Sequence, residues 1–97
     1  MNSATISGFE NVTIDNSVAN TFTANNNALN ITVSGGNVGA ILHLGPTGTQ
    51  NVTITGTGND TVALGSGTNN VNTGDGSDTV TGTLDALDVV NLNDGND

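Results

Sequence analysis

Pairs of apolar residues separated by one residue, polar in all but one of the pairs, recur along the whole chain. They are Val12-Ile14, Phe22-Ala24, Ile31-Val33, Leu42-Leu44, Val52-Ile54 and Val62-Leu64, then Val71, Val80 and Val90-Leu92, with Ala4-Ile6 ahead of them. From Val12 to Val90 the steps are ten, nine, eleven, ten, ten, nine, nine and ten residues. Thr and Asn fill the alternate positions, as in "NVTI" from Asn11 and again from Asn51, "NITV" from Asn30 and "TVAL" from Thr61. Strict alternation predicts short strands with one buried face and one wet face. Gly, Asn, Asp and Ser between the pairs supply turns.

A face two residues wide has nothing to bury against within its own repeat, so the repeats must stack. Two strands and two turns make a coil of about 18–20 residues, which gives about five coils and a stack on the order of 24 Å long. The predicted fold is therefore all-β: a parallel β-roll, or β-solenoid, of about five two-strand coils, forming a single domain. An antiparallel sandwich uses short strands at similar spacing. The tight period and the likeness of the turns to one another favour the solenoid.

Composition narrows the function. The 97 residues include no Lys, Arg or Cys, and nine acids with one histidine give a formal charge of −9. No basic patch exists to displace counterions from nucleic acid or from an anionic membrane surface. Disulfides and thiolate metal sites are excluded. The sequence shows no signal-peptide pattern and no apolar run long enough to insert into a membrane. Few aromatics and much Gly, Asn and Thr would also suit a disordered chain, but the apolar residues are too regularly spaced for that. Catalysis finds little support, and the expectation is that this is not an enzyme. His43 is the lone side chain that ordinarily titrates near neutrality, and it lies at an outward position between Leu42 and Leu44.

The second half adds a stricter beat. "TGTGNDTVA" (residues 55–63), "LGSGTNNVN" (64–72) and "TGDGSDTVT" (73–81) run consecutively, with Gly at the second and fourth positions, Asp or Asn at the sixth and Val at the eighth. A fourth copy near "LDALDVVN" carries an extra residue, and a fifth begins at Leu92. These copies resemble the G-G-x-G-x-D-x-U-x nonapeptide (U being a large apolar residue) of the repeats-in-toxin (RTX) family. The first glycine of that motif is mostly replaced here, Asn69 stands where Asp is usual, and the turn at Leu84-Asp85-Ala86-Leu87 has no glycine.

The resemblance implies calcium. A hard cation takes six to eight oxygens; the glycines let a turn fold tightly and the sixth-position carboxylate adds charge. In the family each ion lies between turns on one edge of adjacent coils, two repeats apart. That pairs Gly56, Gly58 and Asp60 with Gly74, Gly76 and Asp78, and the latter turn with Asp94, Gly95 and Asp97. On the other edge Gly65, Gly67 and Asn69 pair with Asp85 and Asp88, a poorer set because one carboxylate is an amide. All the acids except Glu10 and Asp15 fall in this region, and like charges stacked this closely call for a cation. Asp75 and Asp94 take the third motif position, where an outer or solvated role is as suitable as ligation.

The first half reads differently. Its turns "DNSVAN", "ANNNA", "SGGNVG" and "GPTGTQ" lack the glycine-aspartate cage, although stacked Asn side chains can hydrogen-bond along an edge. The expectation is a calcium-free half, residues 1–54, continuous with a calcium-binding half, residues 55–97. "ISGFENVTI" (residues 6–14) resembles segments between repeat clusters of bacterial RTX-type surface-layer proteins. The function expected from both resemblances is a calcium-stabilised structural module of a secreted bacterial surface-layer or matrix protein, able to self-associate head to tail into a filament or lattice. The alternative is an ice-binding or adhesin-stalk module that uses an outward Thr/Asn face. The N-x-T triplets at Asn11, Asn30, Asn51 and Asn59 arise from the strand pattern and do not mark glycosylation.

Overall fold

The computed structural model describes residues 3–6, 11–15, 20–24, 29–34 and 37–97. Most of the "ISGFE" stretch and much of the turns "DNSVAN", "ANNNA" and "SGGNVG" lie outside the described residues.

Ten strands follow one another along the chain: β1 (Ser3–Ile6), β2 (Asn11–Asp15), β3 (Asn20–Ala24), β4 (Leu29–Ser34), β5 (Ala40–His43), β6 (Thr49–Ile54), β7 (Thr61–Ala63), β8 (Thr68–Asn72), β9 (Thr79–Thr81) and β10 (Val89–Asn91). The odd strands form one five-stranded sheet, in the order β1-β3-β5-β7-β9, and the even strands form the other, β2-β4-β6-β8-β10. Every strand pair in both sheets is parallel. Alternate strands going to alternate sheets, with parallel neighbours two strands apart in sequence, make a β-solenoid. The antiparallel sandwich is thereby excluded, since its hairpins would join consecutive strands.

Register follows the apolar pairs. Phe22, Leu42, Val62 and Val80 align in the odd sheet, and Val12, Ile31, Val52, Val71 and Val90 in the even one. Their side chains meet between the sheets in a core of Ile14, Phe22, Ile31, Val33, Ala40, Leu42, Leu44, Val52, Ile54, Val62 and Val71. Val12, Leu64, Val80 and Val90 pack against it and are only partly buried. A one-residue slip would turn each strand's apolar set outward, so the alternation pins the register. The outward positions are those the alternation assigns: Thr32, Thr53, Ile41 and His43 are exposed.

The connections lie along two edges. Residues 44–48, 64–67 and 82–88 turn from the odd to the even sheet. Residues 55–60 and 73–78 turn back, and residues 92–97 stack on the same edge. Among the described residues no helix is long and apolar enough to cross a membrane.

Candidate functional site

The back-turning edge carries a column of aspartates. Asp78 lies one coil beyond Asp60, and Asp97 one coil beyond Asp78. Each carboxylate accepts a hydrogen bond from the backbone of the coil before it: Ala40 N–H to Asp60 Oδ1 at 2.6 Å, Asp60 N–H to Asp78 Oδ1 at 2.9 Å and Asp78 N–H to Asp97 Oδ1 at 2.9 Å. The sixth-position side chain thus satisfies an N–H of the neighbouring coil as well as supplying charge. Backbone bonds run between the same turns, from Asp75 N–H to the Gly56 carbonyl at 3.2 Å and from Gly76 N–H to the Asp94 carbonyl at 3.0 Å.

Burial makes this column expensive. Asp60 and Asp78 are each only 3% exposed, and the chain has no Lys or Arg to pair with them. Burial pushes the Asp60 carboxyl up to about 6; the Ala40 N–H pulls it down and the nearby Asp78 charge pushes it up further. Asp78 Oδ2 is buried with no hydrogen-bond partner. An oxygen of a carboxylate left so is costly unless something positive meets it.

Close stacking explains the glycines. Gly76 has φ of +147°, and a Cβ there would collide with the Gly58 carbonyl oxygen. The same collision recurs one coil on, between Gly95 and the Gly76 carbonyl. These glycines are therefore required by the approach of one turn to the next, whether or not an ion lies between them.

The opposite edge is built from different chemistry. Asn69, fully buried, is the register partner of Gln50 in β6. Asn69 N–H donates to Asp88 Oδ1 at 2.8 Å. Its Nδ2 donates to the Gly65 carbonyl at 3.2 Å, the Gly67 carbonyl at 3.0 Å and Asp88 Oδ1 at 3.2 Å. Asp88 Oδ2 accepts from Asp85 N–H at 3.0 Å, and Asp85 Oδ1 from Leu87 N–H at 2.8 Å. These donors, first Asp85 N–H and then Asn69 N–H, hold the Asp88 carboxyl below its usual range. Asp85 and Asp88 thus brace their own glycine-poor turn, and only Asp88 reaches Asn69.

Two buried polar residues are absent from the sequence expectation. Gln50 is fully buried, with its Nε2 donating to the Thr47 carbonyl at 2.9 Å. Thr73 is fully buried with Oγ1 unpartnered. Gln50 precedes the apolar pair Val52-Ile54 at an inward position of the alternation, which is the signal that could have found it. Asp75 and Asp94 are exposed.

Comparison with family models, with curated proteins and with solved structures finds no match. The chemistry of the two edges therefore rests on their own geometry. Among the described residues no three His, Cys, Asp or Glu side chains converge. A cation on the aspartate edge would have two carboxylates within reach at most and would draw its remaining oxygens from backbone and water.

Proposed function

We propose that this chain is a calcium-stabilised structural module of the RTX kind, from a secreted bacterial surface-layer or extracellular matrix protein. The carrying observation is the buried, unpartnered Asp78 Oδ2 beside buried Asp60, in a chain without a basic side chain. Gly56, Gly58 and Asp60 with Gly74, Gly76 and Asp78 would hold one ion, and the Asp78 turn with Asp94, Gly95 and Asp97 a second. Bound calcium would supply the charge that the buried carboxylates lack, so its binding free energy becomes folding free energy. Where calcium is scarce the acidic half repels itself; in millimolar extracellular calcium the coils close. Nothing in this role requires catalysis.

Self-association belongs to the same reading. β9 and β10 are the edge strands of their sheets, and a hollow of about 400 Å³ beside them is lined by the apolar Leu64, Val80, Leu84, Val90 and Leu92 together with polar residues that include Asp78 and Asp97. A second copy's β1 and β2 would extend both sheets head to tail, a heterologous contact that builds an open filament. The ice-binding or adhesin alternative would use the outward Asn/Thr face. There the amides bond to one another, from Asn30 to Asn11, Asn51 to Asn30 and Asn70 to Asn51 at 3.0, 2.9 and 2.8 Å. That internal use leaves fewer groups for a ligand and favours a structural role.

Calorimetric calcium titration and thermal melting test the proposal. Calcium should bind and raise the melting midpoint of the unaltered chain, and Asp78→Asn should lose both effects because it removes the charge shared by the two sites. A chain whose midpoint is the same in chelator and in millimolar calcium would end the calcium reading.

A further inference from the structure

Three acceptors converge on one point of the second edge: the carbonyls of Gly65 and Gly67 and Oδ1 of Asp88. The atom at that point is Nδ2 of Asn69, 3.2, 3.0 and 3.2 Å from them. On the aspartate edge the corresponding side chain is a carboxylate with no N–H to offer, and there Asp78 Oδ2 is left bare. We infer that the Asn69 side-chain amide is a built-in substitute for a cation, which closes this edge without metal and leaves the two edges of the solenoid with different calcium dependence. The closure of this edge by the Asn69 amide is independent of the calcium proposal for the aspartate edge, whereas the difference in calcium dependence between the edges rests on it.

The amide orientation follows from its surroundings. Turned over, Asn69 Oδ1 would face two carbonyls and a carboxylate oxygen, an arrangement of acceptors alone that only an inserted cation could relieve. As placed, the two N–H groups serve all three acceptors, at the cost of a buried Oδ1 without a partner. Charge points the same way. A divalent ion between the turns at residues 65–67 and 85–88 would meet Asp88 beside the Asn69 amide, with Asp85 turned to Leu87 N–H, where the other edge offers Asp60 with Asp78. A neutral amide already occupies the point on which the three acceptors converge, so ligation of an ion by those acceptors requires breaking its bonds.

The identity of residue 69 is then the switch. Asn69→Asp removes the donor and restores the second carboxylate; Asn69→Ala removes the donor alone. Calcium stoichiometry by titration calorimetry should rise by one ion in N69D and stay unchanged in N69A, with both variants melting below the unaltered chain in chelator. Equal stoichiometry in N69D and the unaltered chain would overturn the inference. Should N69D fail to fold, nitrogen-resolved hydrogen exchange on the folded, unaltered chain decides. The Asn69 side-chain NH2 should be protected from solvent exchange in calcium, whereas fast exchange would mean that Oδ1 has turned to a bound ion. If the unaltered chain binds no calcium, the proposal for the aspartate edge fails. NH2 protection and the N69D gain still decide this one.

Discussion

At the scale of single residues the two edges differ by one functional group. Asp60 and Asp78 are carboxylates with nothing positive beside them; Asn69 carries its own donor. This difference sets a pH dependence that can be read in chelator. Burial raises the Asp60 carboxyl from its ordinary value of 3.8 to about 6, so between those values the folded chain holds a proton that the unfolded chain has released. Stability from this group therefore increases as pH falls through about 6 and levels off near 4, and is lost as pH rises. Asp88, held low, works in the opposite sense, its contribution disappearing as pH falls below the ordinary carboxylate range. The expected outcome is a melting midpoint in chelator that is higher at pH 5 than at pH 7, with Asp60→Asn flattening that difference. In calcium the slope should reverse, because protons then compete with the ion. A metal-free midpoint that falls steadily from pH 7 to pH 5 would contradict the burial assigned to Asp60.

At the scale of elements, the strands were legible because alternation is a property of neighbours along the chain. "NVTI", "NITV" and "TVAL" name their own inward and outward residues, and β2, β4, β6 and β7 lie on them. The stacking of turns two repeats apart was legible too, because strands that alternate between sheets bring Asp60 beneath Asp78 and Asp78 beneath Asp97. The turns of the first half, where stacked Asn side chains could also bond, lie mostly outside the described residues; an Asn ladder runs on the strand surface, from Asn11 through Asn30 and Asn51 to Asn70, where equal register keeps the amides one rung apart. Val89, the next rung, ends it. Asn51 takes part in two ladder bonds and Asn70 in one. Asn51→Ala should cost about 1 kcal/mol and Asn70→Ala about half as much, since these bonds are exposed. Losses near zero in both variants on chemical unfolding would show that the ladder contributes nothing measurable. Gly76→Ala should be far worse, at least about 2 kcal/mol, because it adds a Cβ against the Gly58 carbonyl at a φ that disfavours side chains.

At the scale of the whole molecule, the solenoid has a well-filled middle and a thin far end. Phe22 is 1% exposed, and Phe22→Ala should destabilise by about 3–5 kcal/mol. Val80 and Val90 are only partly buried, and Leu84 and Leu87 are 61% and 67% exposed. If head-to-tail growth covers this end, light scattering should rise on adding calcium and fall on adding chelator, and deletion of residues 93–97 should abolish the rise while monomers still fold. Scattering that stays monomeric throughout would confine calcium to an internal role. The alternating pairs, their nine- to eleven-residue steps and the glycine-aspartate beat were enough to specify strands, buried faces and a stack, because each is dictated by residues close together in the chain. The partners of buried polar groups were beyond that reach. Ala40 N–H meets Asp60 from 20 residues away and Asn69 N–H meets Asp88 from 19, across coils whose spacing varies with each turn. Which carboxylate oxygen is satisfied, which is left bare and which acceptors the Asn69 amide meets became fixed only when the coils closed on one another.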